Sequence, residues 1–229
     1  MFKKTPVAAG IAAFASIIIA GGCAVADAGK AGGVDYTAMT PQELAEHLIF
    51  EAGGFNLDQE VQEGGTAKRR MVQDDMQKAC SVIGGGKPDQ ATLDAVRTAA
   101  AESITYPEGG IQLGDWQRGR DLAWSGFGFR IGHNPDNHDA RPVGGNCYNC
   151  HQMATDRTGG TVGPSLTGYG KTRGTSEAIL KYAYDMIYNP HAYFPCTNMP
   201  RMGASGFLTQ EAIADIMAYM FDPESPVNQ

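Results

Sequence analysis

The sequence predicts an all-α chain of short helices joined by long ordered loops. Two observations point there. Several segments carry apolar residues at the spacing of one helical face, such as Ile179, Leu180, Ala183 and Ile187 within 177–188. Thirty glycines and twelve prolines in 229 residues are too many for a regular sheet or bundle and call for loops. The chain is 42% hydrophobic and 19% charged, a globular composition and not a disordered one. A net charge of -7 argues against general nucleic-acid binding, which wants a basic surface. The length allows one large domain, or a small one with an appendage. Five cysteines are an odd number, which asks for an explanation in an exported chain.

Residues 1–28 read as an export signal. Lys3 and Lys4 form the positive start, Val7 to Ala20 is uncharged and apolar, and Ala24-Val25-Ala26 and Ala26-Asp27-Ala28 fit small-x-small cleavage sites. The apolar stretch is short for a membrane span, which needs about 20 residues. Ala20-Gly21-Gly22-Cys23 resembles the lipobox of bacterial lipoproteins, with Ala where that family prefers Leu. The simpler reading is that Cys23 leaves with the signal; a membrane attachment follows only if Cys23 is lipidated. Cleavage leaves Cys80, Cys147, Cys150 and Cys196.

Residues 29–110 form a helical N-terminal extension. Thr40-Pro41-Gln42-Glu43 is a capping box with proline at the first helical position, and Leu44, Leu48, Ile49 and Ala52 make the apolar stripe. Gly53-Gly54 ends it. A second helix is expected over 66–83, with Val72, Met76, Ala79, Cys80 and Ile83 on one face, and a third over 88–100. Gly64-Gly65 and Gly84-Gly85-Gly86 are the breaks. His47 reads as a helix-surface residue, and Lys68-Arg69-Arg70 as a solvated charge run. No catalytic signature stands out here.

Residues 111–229 carry the chemistry. An opening helix is expected over 115–126. Cys147-Tyr148-Asn149-Cys150-His151 is a C-x-x-C-H sequence, which reads as attachment of one c-type haem. Two thiols at that spacing add to the two vinyl groups, and the adjacent imidazole falls under the iron. A redox C-x-x-C normally follows a strand, and a zinc site would need Cys80 or Cys196 as further ligands. Gly163-Pro164-Ser165-Leu166 resembles the Gly-Pro loop of class I cytochromes c, in which the proline carbonyl accepts the proximal Nδ1–H. Met186, His191, Cys196, Met199 and Met202 are the candidates for the sixth ligand. Met186 sits in a helix. Met199 precedes Pro200, so its backbone is extended and can lay a thioether across a haem face. Met202 is chemically equal. Thr209 caps a closing helix that Asp222-Pro223 stops, with Ile213, Ile216, Met217 and Met220 on one face. A Cys80–Cys196 disulfide would staple the extension to the ligand loop. Two separate thiols, or Cys196 as a thiolate ligand, are the alternatives. The order of elements resembles a class I cytochrome c fold, preceded by the extension.

The run Phe194-Pro195-Cys196-Thr197-Asn198-Met199-Pro200-Arg201-Met202-Gly203 resembles the SoxX family, the monohaem subunit of the SoxAX complex. So do Gly163 to Lys171 and the ending Asp222 to Asn228. Met202 departs from the family, which usually shows Phe there; Met199 matches its ligand. The resemblance implies an electron-accepting subunit, not itself catalytic. Its partners would be a SoxA-like subunit and, transiently, a sulfur-carrier protein and a soluble cytochrome c. The complex would join thiosulfate to a carrier cysteine in the periplasm. A free-standing electron carrier, or a haem enzyme or sensor with an open sixth position, are the alternatives. Residues 141–201 hold six basic and three acidic residues, while 202–229 hold four acidic and no basic ones. That layout favours an anionic substrate or an acidic partner near the haem.

Overall fold

The structure, a computed structural model, describes residues 33–61, 64–81, 86–129, 131 and 142–229. The expected signal 1–28 and Cys23 lie outside the described residues. Two compact units result, Met1–Leu44 and Ala45–Gln229. Among the described residues there are eight α-helices and one isolated bridge, Glu60 with Thr66. No described helix is long and apolar enough to cross a membrane.

Helix α1 (Pro41–Glu46) starts at the capping box, with the Thr40 amide donating to Glu43 at 2.8 Å. It continues as a π turn over His47–Glu51, closed by the Ala52 amide on the His47 carbonyl. A π turn shifts residues spaced for 3.6 per turn off a shared face. The expected apolar stripe is therefore not buried, and Leu48 is 46% exposed. His47 bonds Glu51 at 2.9 Å.

The single helix expected over 66–83 is two helices, α2 (Ala67–Met71) and α3 (Asp75–Cys80). Asp74 breaks the run. Its carboxylate accepts the Gln77 amide at 2.8 Å while the Gln77 side chain accepts the Asp74 amide at 2.9 Å. This reciprocal cap outcompetes continuation of the helix. Ile83 lies outside the described residues. Arg70 is not simply solvated: its guanidinium lies 4.2 Å from the Phe129 ring centre.

Helix α4 (Gln90–Glu102), capped by Asp89, buries Val96 and Ala100 and packs against the turn Pro190–Ala192. Below it, Asn189 donates to Ser103 at 2.8 Å and the Tyr184 hydroxyl donates to the Thr105 carbonyl at 2.8 Å. Residues 90–106 thereby share the fold of the segment that follows.

The centre of the fold is the crossing of α5 (Trp116–Trp124) over α8 (Gln210–Phe221). α8 is buried along nearly its whole length, from Ile213 to Phe221. α5 reaches it because Gly119 has no side chain: a Cβ there would overlap the Asp215 carbonyl. Asp215 is buried, and Arg118 donates to both its oxygens at 2.8 and 2.9 Å. The Asp115 amide donates to it at 2.7 Å as well. These bonds satisfy a carboxylate that would be costly to bury alone. Helices α6 (Tyr169–Arg173) and α7 (Glu177–Tyr188) complete the core, with Tyr169 edge-on to Phe221.

Gly119→Ala tests the crossing. It should destabilise the holoprotein by about 3 kcal/mol, the upper end for over-packing, in denaturant unfolding. An unchanged midpoint would mean that α5 and α8 do not need this contact distance.

Candidate haem site

The proximal side grows out of the end of α5. The amides of Gly144, Gly145 and Asn146 donate to the carbonyls of Phe127, Leu122 and Ser125 at 3.1, 2.9 and 2.8 Å. Asn146 is left-handed (φ 48°), which turns the chain into a 3-10 turn at Cys147–Asn149. The amides of Cys150 and His151 both donate to the Cys147 carbonyl, at 3.1 and 2.9 Å. Two sulfurs and an imidazole thus share one tight turn. Tyr148, between the cysteines, is buried, with its hydroxyl 2.6 Å from that of Tyr219 and accepting the Ala154 amide. Burial and then the Tyr148 bond push the Tyr219 phenol well above its usual range.

His151 Nδ1 lies 2.7 Å from the Pro164 carbonyl oxygen. A carbonyl only accepts, so Nδ1 carries the proton and Nε2 keeps its lone pair for a metal. Gly163 lies flat on the ring; a Cβ there would overlap Nδ1 and Cε1. The Gly163 amide is tied back to the Cys150 carbonyl at 2.8 Å.

Cys147 and Cys150 are free thiols, while Cys80 and Cys196 are joined in a disulfide. Burial, with a smaller contribution from Cys150, pushes the Cys147 thiol up to about 12. The Cys147 thiol is therefore protonated at neutral pH, the form that adds across a vinyl group. The two further thiols that a zinc site would need are bonded to each other.

The distal segment runs from Cys196 to Gly203 without helix. Cys196 is left-handed (φ 59°), and its amide donates to His191 Nδ1 at 2.9 Å. Arg201 pairs with Asp74 at 2.7 Å and donates to the Met76 sulfur at 3.7 Å. By loop-closure entropy a disulfide closing a loop of 116 residues contributes roughly 5 kcal/mol, and a half-buried ion pair well under that. The cross-link is the dominant tether of this segment. Met199 lines a cavity of about 460 Å³ together with Met76, Cys80, His191, Cys196 and Arg201. Met202 instead lines a second cleft with Gly144, Gly145, Asn146 and Phe207, close to Gly145 as the Cys147 sulfur also is. Of the other ligand candidates, Cys196 is consumed by the disulfide and His191 holds the Cys196 amide. Met186 stays on α7, half-buried.

The residues fit a haem. The chemistry is that of two free thiols and an imidazole with a committed tautomer, packed against a glycine that leaves it room, and thioethers within the loop 196–203. Two contributors are legible only with hindsight. Asp74, which the sequence places inside a continuous helix, caps α3 and is also the partner of Arg201. Arg201 reads as part of a basic stretch, yet it and Lys181 are neutralised internally, the latter by Asp185 at 2.6 Å. The cation count over 141–201 overstates the charge offered to a partner.

An all-helical core carrying this constellation defines a class I cytochrome c fold, and the Cytochrome c family matches over residues 142–222. Such a domain binds haem c covalently and transfers electrons. A curated protein of Aquifex aeolicus (strain VF5), described as an uncharacterized lipoprotein, is 38% identical over 164 residues, 71% of this chain and 76% of that protein. The chain belongs to the same family as that protein, with a cytochrome c domain at its C-terminal end.

Two outcomes follow for the site. Gly163→Ala should push the imidazole out of place and convert part of the ferric protein from low to high spin, read by its optical spectrum. An unchanged spectrum would show that the ring tolerates displacement. Burial, and then the Arg201 charge, hold His191 below its usual 6.5, so it is neutral at pH 7 and can accept the Cys196 amide. A depressed folded value means that the unfolded chain binds more protons. The stability it supplies is complete above pH 6.5 and is lost as pH falls through the folded value. Unfolding measured from pH 7.5 to 5 should show that loss, and His191→Gln should flatten it; equal slopes would contradict the assignment.

Proposed function

We propose that the chain is the electron-accepting subunit of a SoxAX-like thiosulfate-oxidising complex, with one haem c held by Cys147, Cys150, His151 and Met199. The observation that carries this reading is the loop Cys196-Thr197-Asn198-Met199-Pro200-Arg201, which resembles the SoxX ligand loop and stands tethered at both ends. Bound haem supplies a one-electron couple. The chain's own part is to orient and tune it. The Pro164 carbonyl holds the His151 proton at Nδ1 and keeps Nε2 as the donor. Met199 offers a neutral thioether, and a Met/His pair raises the potential, as accepting electrons from sulfur oxidation requires. Met202 sits by Gly145, next to the thiol that takes a vinyl edge, so it suits an edge contact better than an axial bond.

The cysteine inventory supports a non-catalytic role. Among the described residues, two cysteines serve haem attachment and the other two are disulfide-bonded. The sulfur chemistry is assigned to a SoxA-like partner, and the electrons pass on to a soluble cytochrome c. The lipoprotein relative favours lipidation at Cys23, which would tether the chain at the periplasmic face of a membrane.

Copurification tests the complex. Tagged holoprotein expressed with a SoxA-like chain should elute as a stable heterodimer that reduces a soluble cytochrome c in the presence of thiosulfate and carrier protein. Elution alone, with no thiosulfate-dependent reduction, would favour a free-standing carrier. Cys23→Ser should move the protein from the membrane fraction to the soluble one.

A further inference from the structure

Helix α3 lies far from the haem motif in sequence, yet both its ends reach the distal loop. Its capping residue Asp74 binds Arg201, and its last residue Cys80 is bonded to Cys196. Cys196 and Arg201 bracket Met199. The two anchor points on α3 are separated by one six-residue helix, about 9 Å at 1.5 Å per residue. Rigidity between them is set by the helix and its reciprocal cap. The five peptide bonds from Cys196 to Arg201 contain no helix, and among the described residues the hydrogen bond recorded for Met199 is its amide on the Thr197 hydroxyl. A third hold comes from behind: His191 accepts the Cys196 amide and fixes that residue in its left-handed turn.

We propose that α3 is a splint for the distal ligand loop, with Asp74 and Cys80 as positioning residues that determine whether the Met199 thioether reaches the iron. This rests on the reading of Met199 as the sixth ligand. The carboxylate suits the task. Burial raises its proton affinity, but the Gln77 amide and then the Arg201 guanidinium outweigh that and hold Asp74 below the usual range, so it stays charged. The Arg201 side chain is 18% exposed, so its fork is held in a fixed position, not swung in solvent. Residues of the extension thereby act on the ligand loop of the cytochrome segment. The extension is then part of the electron-transfer apparatus, tuning the potential of a cytochrome whose own helices are complete without it.

The test uses full-length holoprotein and two readouts, the methionine-to-ferric-iron charge-transfer band and the midpoint potential. In one arm the folded wild type is treated with a dithiol. The disulfide takes two electrons and two protons from it, giving two thiols and the oxidised dithiol. The thiols are blocked with a maleimide, the reagents are removed and the haem is reoxidised. In the second arm Asp74→Asn and Asp74→Glu are compared. The expected result in the reduced protein and in Asp74→Asn is a fall of about 10-fold in the ratio of methionine-ligated to unligated iron, the scale of a lost supporting contact. The potential should fall as well, with helix content unchanged and Asp74→Glu restoring the band. A wild-type band and potential in either treatment, while Met199→Leu abolishes the band, overturns the splint alone. Loss of the band together with helix content also overturns it, because the contacts would then hold the fold and not the loop. A band that survives Met199→Leu and disappears in Met202→Leu overturns the ligand assignment, and the splint with it.

Discussion

The approach of α5 to α8 at Gly119 and Asp215 is the constraint on which the rest depends. Each face of the haem site hangs from one of these helices. The end of α5 and the residues just after it receive the amides of Gly144, Gly145 and Asn146, and through them set the C-x-x-C-H turn. The start of α8 follows directly on the distal loop, whose Met202 carbonyl accepts the amides of Phe207 and Leu208 before Thr209 caps the helix. Fixing the crossing therefore fixes one end of each loop. The buried Asp215 is suited to this, because Arg118 and the Asp115 amide satisfy it only when the helices are in register.

Within that frame the loops are held by backbone bonds and by a few side chains. Proximal order comes from Pro164 and Gly163 against His151, and from the Tyr148–Tyr219 pair that ties the haem turn to α8. Distal order comes from outside the cytochrome helices, through Cys80, Asp74 and His191. The two sides thus differ in kind. The proximal ligand is built into its own turn, whereas the thioether loop depends on distant chain.

Much of this was legible in the residues, and the physical reasons separate what was from what was not. Helix α8 announces itself through a cap, an apolar face and a stop, and it forms where those signals agree; α7 forms on its apolar face without a side-chain cap. The C-x-x-C-H and Gly-Pro elements are local, so their spacing carries their geometry. The 66–83 segment misled because its apolar spacing runs through Asp74, and a periodic pattern hides a cap that the D-x-x-Q spacing also displays. The stripe after Pro41 misled because a π turn cannot be read from spacing. The Arg201–Asp74 pair spans 127 positions, and no local pattern reports a pairing of that range. Gly119 is silent for the same reason: a close approach is visible only once both surfaces are in place.

On the proposed reading, His151 and Met199 would together hold the haem iron. Proton NMR of the ferrous holoprotein labelled with 13C-methyl methionine addresses it directly, since the ring current of a haem shifts the methyl of its axial methionine far upfield. The account predicts one such methyl, assigned to Met199 and still present in Met202→Leu. An upfield methyl assigned to Met202, or none at all, would contradict it.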